Sequence, residues 1–407
     1  MRCLTMKALF KNKQFSWLLF SELFTVLSFS MYMITVSWYV VDVLHHPQYL
    51  GLVMAAASIP RMITMIIGGV LADRIQKSKI LFSTQLLKGV LLGILLWSVM
   101  DDSLTLALLL IVSFFIGCLD GFFFPALSSL IPSIVSQKQL QPANTLIHSS
   151  QELLYLIGPV AAGAILHYYN FSATFAVSIA ATLIGACFVF PAFIKDAKPD
   201  KHKEKTSFIT EFKEGYRYLR SSSIYISAIS IIIIVNFFVF GPMFLSLPIL
   251  AEELGGSALD LSFLEAGFSV GSLTATIFLL FFTLKKNRGR LILIFLIASV
   301  LALGFFSQLP SLHWLIPVAA MIGFFGFITY IPTDVIIQEK TDPAMMGRVM
   351  SIVFLASTAF DPISQTLFSS LMSAGFSTRI LLAAFAGAGL LMAALVFAKA
   401  KKWRNMQ

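Results

Sequence analysis

The residues of this sequence most able to do chemistry are ionisable side chains that lie inside long apolar stretches. Five of them fall near the middle of such stretches: Glu22, Arg61, Asp120, Glu152 and Asp361. A charged side chain at the centre of a bilayer costs about 2.5–3.5 kcal/mol on insertion scales, so each is a candidate for proton transfer or for binding. A permanent pairing between helices is the alternative interpretation for each of them.

Glu152 is the strongest of these candidates because polar residues repeat on its predicted helix. Thr145, His148, Glu152, Tyr155 and Pro159 follow one another at spacings of three and four, which places them on one face of a helix. A carboxylic acid there can take up and release a proton when its access to water changes sides, and His148 would modulate that exchange. A static polar contact between two helices is the alternative.

Three more carboxylates have comparable surroundings and complete, with Glu152 and His148, the set of proton-coupling candidates. Glu22 adjoins serines, threonines and a tyrosine that recur along the same stretch, and Asp361 lies among serine and threonine side chains. Asp120 is framed by Gly117 and Gly121, and Phe123 and Phe124 lie about one helical turn further on. For each of the three, proton transfer and structural pairing are equally open.

The cations at membrane depth need partners. Arg61 lies twelve residues before Asp73, which corresponds to roughly 18 Å along a helix and to a position near the middle of the bilayer. A carboxylate partner is therefore expected for Arg61, and Asp120 and Glu22 are the candidates from the same half of the chain. Lys88 lies nearer the end of its stretch, and we expect its long side chain to reach the membrane surface.

Twelve apolar stretches, each long enough to cross a bilayer as a helix, position these residues. Hydrophobic residues make up 58% of the 407 residues and charged residues 12%, about half the charged fraction of a soluble protein. Since about 20 apolar residues span the hydrocarbon core, the sequence predicts an all-α integral membrane protein. The predicted spans lie near residues 14–41, 48–72, 80–100, 103–132, 141–166, 171–194, 223–250, 260–284, 290–308, 312–338, 348–373 and 378–399.

The distribution of positive charge predicts the orientation of the chain. Of the 29 lysines and arginines, 26 lie in the termini and in every second connection, whereas the other connections hold only Arg379. Because Lys and Arg in short loops favour the cytoplasm, we expect a cell-membrane protein with both termini cytoplasmic. The net charge of +9 is then a sign of topology, since no segment offers the basic and aromatic face of a nucleic-acid-binding protein. The 3 scattered cysteines predict neither a disulfide framework nor a metal site.

The chain divides into two halves joined by a hydrophilic segment. We expect a six-helix bundle over residues 1–194, a cytoplasmic linker over 195–222 and a second six-helix bundle over 223–407, which together indicate an internal duplication. In the linker, apolar residues recur every three or four positions from Phe208 to Leu219, which predicts a short amphipathic helix on the membrane surface. A tether between the bundles is the favoured role, and regulation is the alternative.

A short motif after the second predicted span resembles a known signature. Gly69 is followed by Asp73 and Arg74 and then by Lys77, in the manner of the major facilitator superfamily, although Gln76 replaces the glycine of that family. The resemblance implies a fold of twelve helices in two pseudo-symmetric six-helix bundles around a central cavity. It also implies that Gly69, Asp73, Arg74 and Lys77 form a cytoplasmic gate for alternating access. An ordinary charged loop is the alternative.

Further resemblances indicate one branch of that family. The run from Phe124-Pro125 to Gly158-Pro159 and Gly163 is similar to the macrolide-efflux and siderophore-exporter branch of the drug:proton antiporters. The resemblance implies export, with Gly158, Pro159 and Gly163 forming an antiporter-like kink, because proline removes a helical hydrogen bond and glycine allows close packing. A kink with no bearing on the direction of transport is the alternative.

Aromatic side chains beside the polar residues are candidates for the wall of a substrate cavity. Most of the 39 phenylalanines must face lipid or neighbouring helices, so only those next to polar positions are singled out. The cavity candidates are Phe29, Phe123, Phe124, Tyr155, Asn236 and Phe237.

Together with these patterns, the resemblance implies a secondary-active transporter that exports an amphipathic small molecule, such as a drug, a macrolide or a siderophore-like compound, by proton antiport. Its partners would be that substrate, protons and the lipid bilayer. No nucleic acid, cofactor or metal is expected, and we expect a monomer. Import by symport or uniport, and a non-transporting sensor or scaffold, are the alternatives. An enzyme is not indicated, because no nucleophile–base pair or metal cluster can be placed in the sequence.

Overall fold

The protein consists of two compact units built from helices. A computed structural model describes residues 9–194, 208–281, 287–342 and 345–404, and no strand occurs in those ranges. The first unit comprises Met1–His46 and Leu52–Lys203, and the second comprises Pro47–Gly51 and Glu204–Gln407. Some side chains within helices lie outside the described structure, and the predicted site residues among them are Asp73, Arg74, His148 and Glu152.

Six long helices form the described part of the first unit. They are α1 (Lys13–Trp38, continued by a π-helical segment over Tyr39–Val43), α2 (Leu50–Arg74), α3 (Lys77–Met100), α4 (Leu106–Ile134), α5 (Gln137–Tyr168) and α6 (Phe171–Phe188). Asn12 starts α1 by accepting the backbone N–H groups of Gln14 and Phe15, and Asn170 starts α6 by accepting that of Ala173. Within this unit α1 packs against α5 and α6, and α3 packs against α4 and α6.

The second unit repeats the pattern and adds two short helices. Its helices are α7 (Phe208–Arg220), α8 (Ser223–Glu253, π-helical over Val235–Phe240), α9 (Ala258–Phe281), α10 (Arg288–Phe306), α11 (Leu312–Lys340), α12 (Met346–Ser373), α13 (Thr378–Lys399) and α14 (Lys401–Arg404). Here α9 packs along α11, and α10 packs against α11 and α13. The helix predicted in the linker is observed as α7, and it belongs to the second unit.

Length and composition explain why the chain is helical. Inside a bilayer the backbone must satisfy its own hydrogen bonds, which a helix does within one segment. In the described residues, 9 helices are long and apolar enough to span a membrane, namely α1, α3, α4, α6, α8, α9, α10, α11 and α13. The other predicted spans coincide with α2, α5 and α12, of 25, 32 and 28 residues. The all-helical membrane fold is therefore confirmed, whereas the count of twelve spans stays a prediction.

Glycines allow the closest helix contacts in both units. A methyl group at Gly117 of α4 would overlap the carbonyl oxygen of Ala57 on α2. In the second unit, a methyl group at Gly271 of α9 would overlap the carbonyl oxygen of Ala320 on α11. Small residues are what allow helices to approach at such distances in membranes. Contacts of this type thus occur in both halves of the chain.

We predict that Gly117→Ala and Gly271→Ala each destabilise the protein by about 1–3 kcal/mol, because an added methyl group forces two helices apart. The measurement is the midpoint of thermal unfolding in detergent. The matched control is Gly93→Ala on α3, where a methyl group would have no neighbour within 4 Å. Alanine is also the better helix former, so this control should unfold at or above the wild-type midpoint. Equal midpoints for all three variants would contradict the close contacts.

Candidate functional site

A buried ion pair joins α3 to α4 in the first unit. The Lys88 ammonium group lies in direct contact with Asp120 Oδ1, and the two side chains are only 8% and 12% exposed. The same ammonium group lies 4.9 Å from the ring centroid of Phe123, a cation–π distance. The expectation that Lys88 reaches the membrane surface is therefore wrong. A carboxylate and an aromatic face next to the side chain stabilise its charge where it is.

Glu22 of α1 is the second buried acid of this region. Its side chain is buried, and its Oε1 accepts a hydrogen bond of 2.6 Å from Gln151 Nε2 on α5. Its Oε2 is also buried and has no hydrogen-bond partner among the described residues. The charges of Lys88, Asp120 and Arg61 all act on this carboxyl group. Half of the hydrogen-bonding capacity of Glu22 is thus left for a proton or a ligand, since a buried polar atom without a partner is costly.

A cavity of about 110 Å³ brings seven of the predicted site residues of the first half together. Its wall is formed by Glu22, Thr25, Val26, Phe29, Arg61, Asp120, Phe123, Phe124, Gln151 and Tyr155. Pockets that enclose drug-sized ligands measure roughly 300–1,000 Å³. This cavity can therefore receive one polar group of a larger molecule, with aromatic rings beside it.

Arg61 lies on this cavity, but its environment differs from the expected one. Asp120 and Glu22 line the same cavity, as a partner of Arg61 would. However, Asp120 pairs with Lys88, and the ion pairs between described residues within 4.0 Å do not include Arg61. The Arg61 side chain is partly exposed rather than fully enclosed. Its guanidinium group is thus placed to interact with whatever enters the cavity.

Polar side chains behind the cavity hold α1 in place. Ser28 donates to the Ser178 carbonyl oxygen at 2.8 Å and shares a hydrogen bond of 2.6 Å with Thr182, both on α6. Tyr32 shares one of 2.8 Å with Ser113 on α4. These residues are buried, and satisfied buried networks restrict a helix to one orientation. The polar residues near Glu22 therefore connect helices, while Glu22 itself lies on the cavity.

The predicted features of α5 and of the gate are only partly described. Gly158 and Pro159 are buried, and a methyl group at Gly158 would overlap the Ser30 side chain on α1. Gly163 is buried as well. The side chains of Glu152 and His148 lie outside the described structure, although Gln151, the neighbour of Glu152, reaches Glu22.

The gate residues lie where α2 ends and α3 begins. Asp73 and Arg74 are the last residues of α2, and Lys77 is the first residue of α3. A methyl group at Gly69 would have no neighbour within 4 Å. Because the side chains of Asp73 and Arg74 lie outside the described structure, the gate stays a prediction.

The second unit carries a different kind of polar site. Asp361 Oδ1 on α12 is buried without a hydrogen-bond partner among the described residues. Tyr330 on α11 donates to Ser357 Oγ at 3.0 Å, and the charges of Asp334 and Asp361 both act on its hydroxyl group. The described lysines and arginines of this unit all lie near helix ends or on α7 and α14. Acidic groups at membrane depth here have no neighbouring described cation.

Two cavity candidates of the second half lie in packed surroundings. Asn236 is buried and donates to the Ile232 carbonyl oxygen of its own helix at 2.8 Å, within the π-helical segment of α8. Phe237 packs against Phe360 and Phe385, with ring centroids 6.3 and 6.0 Å away. Neither residue lines the cavity at Glu22. Among the described residues, no group of three or more His, Cys, Asp or Glu is placed to hold a metal ion.

Two residues of the site were missed by sequence reasoning. Gln151 precedes Glu152 and reaches Glu22, but an amide beside a carboxylate draws less attention than the acid itself. Sequence reasoning places Lys88 at the membrane surface. From its position in the span, the long side chain can reach either the membrane surface or a neighbouring helix. The contacts of Gln151 and Lys88 depend on how α5 and α3 are rotated about their axes. The spacing of polar residues along these two helices does not determine that rotation.

Comparison with known proteins gives a consistent family. The model of the family described as "Major Facilitator Superfamily" matches residues 18–364, which is most of the chain. The enterobactin exporter EntS of Shigella boydii serotype 18 is 24% identical over 355 residues, covering 86% of this chain and 82% of the exporter. EntS of Escherichia coli O139:H28 is 23% identical over the same share.

Solved structures show the same fold at low sequence identity. A peptide transporter POT superimposes with a TM-score of 0.75 at 16% identity, over 97% of this chain and 96% of the other. The POT family transporter PepTSo gives 0.76 at 13% identity, over 97% and 99%. The nucleoside transporter NupG gives 0.71 at 13% identity, over 95% and 99%. The likeness to these structures concerns the fold alone.

We predict that Lys88 and Asp120 are strongly coupled in stability. Lys88→Met and Asp120→Asn should each cost about 3–5 kcal/mol, because each leaves an uncompensated polar group in a buried site. The double variant should cost much less than the two single costs added together, since neither charge remains. Thermal unfolding of the four proteins in detergent measures the coupling. The control is Lys79→Met, which removes an exposed lysine from the same helix. Additive costs would contradict the buried pair.

Proposed function

The chain belongs to the Major Facilitator Superfamily, and from this premise we propose that it exports an amphipathic small molecule in exchange for protons. It is a multi-pass membrane protein and a transporter rather than an enzyme. The observation that carries the proposal is the Glu22 carboxyl group, which lies on a cavity with one oxygen bonded to Gln151 and the other without a described partner.

The cavity supports a substrate with a polar group next to aromatic or other apolar parts. Glu22 offers an acceptor, Arg61 offers several donors, and Phe29, Phe123 and Phe124 offer apolar faces. Drugs, macrolides with an amine and siderophore-like compounds with phenolic hydroxyls all combine these features. The relative EntS is an enterobactin exporter, which is compatible with the siderophore-like class. At about 110 Å³ the cavity would hold the polar group and leave the rest of the substrate outside it.

Competition for one oxygen atom would couple the two movements. A proton on Glu22 Oε2 removes the negative charge and leaves that atom a weak acceptor, so the protonated carboxyl group binds a donor group of the substrate much less tightly. When the cavity opens outward, the carboxyl group takes up a proton and the substrate leaves. When it opens inward, the proton leaves and the carboxylate accepts the donor of a new substrate. Asp120 is less suited to this exchange, because Lys88 already neutralises it.

Three other predicted groups belong to the same proposal. Glu152 and His148 lie on α5, one and three residues from Gln151 in the sequence, and they stay candidates for the proton exchange. Asp361 in the second unit is a second candidate proton site, since its Oδ1 is buried and the described cations of that unit lie elsewhere. We assign the first role to Glu22 because both its hydrogen bond and its position on the cavity are described.

The charge pattern and the family support a proposed orientation and a proposed gate. We propose a monomer in the cell membrane with both termini in the cytoplasm, where lysine and arginine concentrate. Gly69, Asp73, Arg74 and Lys77 would then lie at the cytoplasmic ends of α2 and α3 and act as the gate. Gly158, Pro159 and Gly163 would give α5 the close packing that an antiporter of this branch uses.

The first test is efflux from cells that overproduce the protein. The panel contains macrolides, cationic dyes, other hydrophobic drugs and a catecholate siderophore, each with and without a protonophore. We expect export of at least one compound and loss of that export when the protonophore collapses the proton gradient. Import of a panel compound, or export that the protonophore leaves unchanged, would contradict proton-driven export. Inverted vesicles with a pH gradient of either sign then separate export from uniport.

Glu22→Gln should abolish the pH-driven part of transport, because glutamine keeps the shape of the side chain but cannot exchange a proton. We expect at least a tenfold loss of gradient-driven efflux with normal amounts of folded protein in the membrane. Glu252→Gln, at the far end of α8 in the other unit, is the matched control and should transport normally. Glu152→Gln is measured beside them. Full coupling in Glu22→Gln together with its loss in Glu152→Gln would transfer the role to Glu152.

Asp73→Asn should slow turnover more than it weakens substrate binding, because a gate residue acts on the change between inward and outward states. The measurement compares the maximal transport rate with the dissociation constant of the exported compound, and we expect the rate to fall about tenfold. Lys79→Gln, which alters an exposed charge two residues into the same helix as Lys77, is the control. Weaker binding at an unchanged rate would refute the gate assignment.

A further inference from the structure

One face of α7 is fixed to the second unit. Glu214 Oε2 pairs with Arg348 Nη1 of α12 at 2.8 Å. Tyr218 Oη accepts the backbone N–H of Asp342 at 3.1 Å, just beyond α11. Leu219 is buried, and a methyl group at Gly215 would come within 2.9 Å of the Arg348 carbonyl oxygen. These four positions of α7 follow the i, i+1, i+4, i+5 pattern of one helix face, so α7 is a docked helix rather than a loose tether.

The opposite face of α7 is exposed and basic. Lys213, Tyr216, Arg217 and Arg220, which we name the basic stripe, are all exposed and follow the i, i+3, i+4, i+7 pattern of a single face. The Arg220 guanidinium lies 5.7 Å from the ring centroid of Tyr216, which orders the end of the stripe. Among the described residues, no ion pair involves any of its three cations.

The docked face keeps the basic stripe at the level of the membrane surface. Only residues 221 and 222 separate α7 from α8, so the end of α7 lies within about 10 Å of the start of a membrane-spanning helix. Tyr225 in the first turn of α8 donates to the Lys340 carbonyl oxygen at 2.6 Å, and its ring lies 5.5 Å from that of Tyr218. These contacts tie α7 to the ends of α8 and α11.

We propose that the basic stripe binds the headgroups of anionic phospholipids in the cytoplasmic leaflet. Three cations on one face complement a negatively charged lipid surface. Anionic lipids attract basic residues that lie next to a membrane-spanning helix. Tyrosine between them is typical of the membrane–water boundary, where its ring lies in the headgroup region and its hydroxyl in water. The proposal depends on the cytoplasmic topology and not on the direction or coupling of transport.

The test is lipid binding to the purified full-length protein, measured by native mass spectrometry. Phosphatidylglycerol and phosphatidylcholine with identical acyl chains are titrated separately in detergent. Wild type should bind phosphatidylglycerol more tightly. Lys213→Gln/Arg217→Gln/Arg220→Gln should weaken that binding at least tenfold and leave phosphatidylcholine binding unchanged. The charge-preserving variant Lys213→Arg/Arg217→Lys/Arg220→Lys should bind like wild type. The unfolding midpoint of each variant shows whether it is folded. If the triple variant is not folded, a variant with Arg220→Gln alone replaces it.

A matched control separates the stripe from net charge. Lys399→Gln/Lys401→Gln/Lys402→Gln removes the same number of exposed positive charges at and near α14 of the same unit. We expect it to keep its affinity for phosphatidylglycerol. An equal loss in this control, or wild-type binding in the stripe variant, would overturn the proposal. Competition by millimolar glycerol phosphate would also overturn it, since the site would then bind a free phosphate rather than a lipid.

Discussion

A charge buried between helices is stable only beside an opposite charge, and the Lys88–Asp120 pair provides this in the first unit. The pair joins α3 to α4 in a place that water hardly reaches, and Phe123 adds an aromatic face to the ammonium group. It also determines what the neighbouring charges can do. Lys88 forms an ion pair with Asp120. Arg61 and Glu22 therefore line the cavity without a described ion pair within 4.0 Å. The proposed proton-exchange site at Glu22 therefore depends on the Lys88–Asp120 ion pair, which does not take part in the exchange.

The two units use charge in different ways. The first unit places acids and bases together at membrane depth, whereas the described part of the second unit holds acids there and keeps its cations near helix ends, on α7 and on α14. Isolated acids such as Asp361 are better suited to the uptake of a proton. The basic residues at the start of the second unit have a separate use, since α7 presents them on a face that the protein does not cover.

Much of the fold could be predicted from the sequence because hydropathy and length determine it. Hydropathy and periodicity predict the helical class and the linker helix. Polar positions within apolar stretches indicate the site residues Glu22, Arg61, Asp120, Phe29, Phe123, Phe124 and Tyr155, which line one cavity. Their roles there stay proposals. The pairing could not be predicted, because it depends on the rotation of each helix about its axis. A small rotation of α3 decides whether Lys88 reaches lipid headgroups or Asp120. Asn236 shows a second limit, since its amide donates to the Ile232 carbonyl oxygen of its own helix rather than facing a cavity.

The central claim is that Glu22 exchanges a proton for a donor group of the substrate. It is tested most directly by the protons released when an exported compound binds to the purified protein in weakly buffered detergent solution near neutral pH. The account predicts release of up to one proton per compound bound by wild type and none by Glu22→Gln at saturating compound. The same release from Glu22→Gln would contradict it, because the proton would then come from another group.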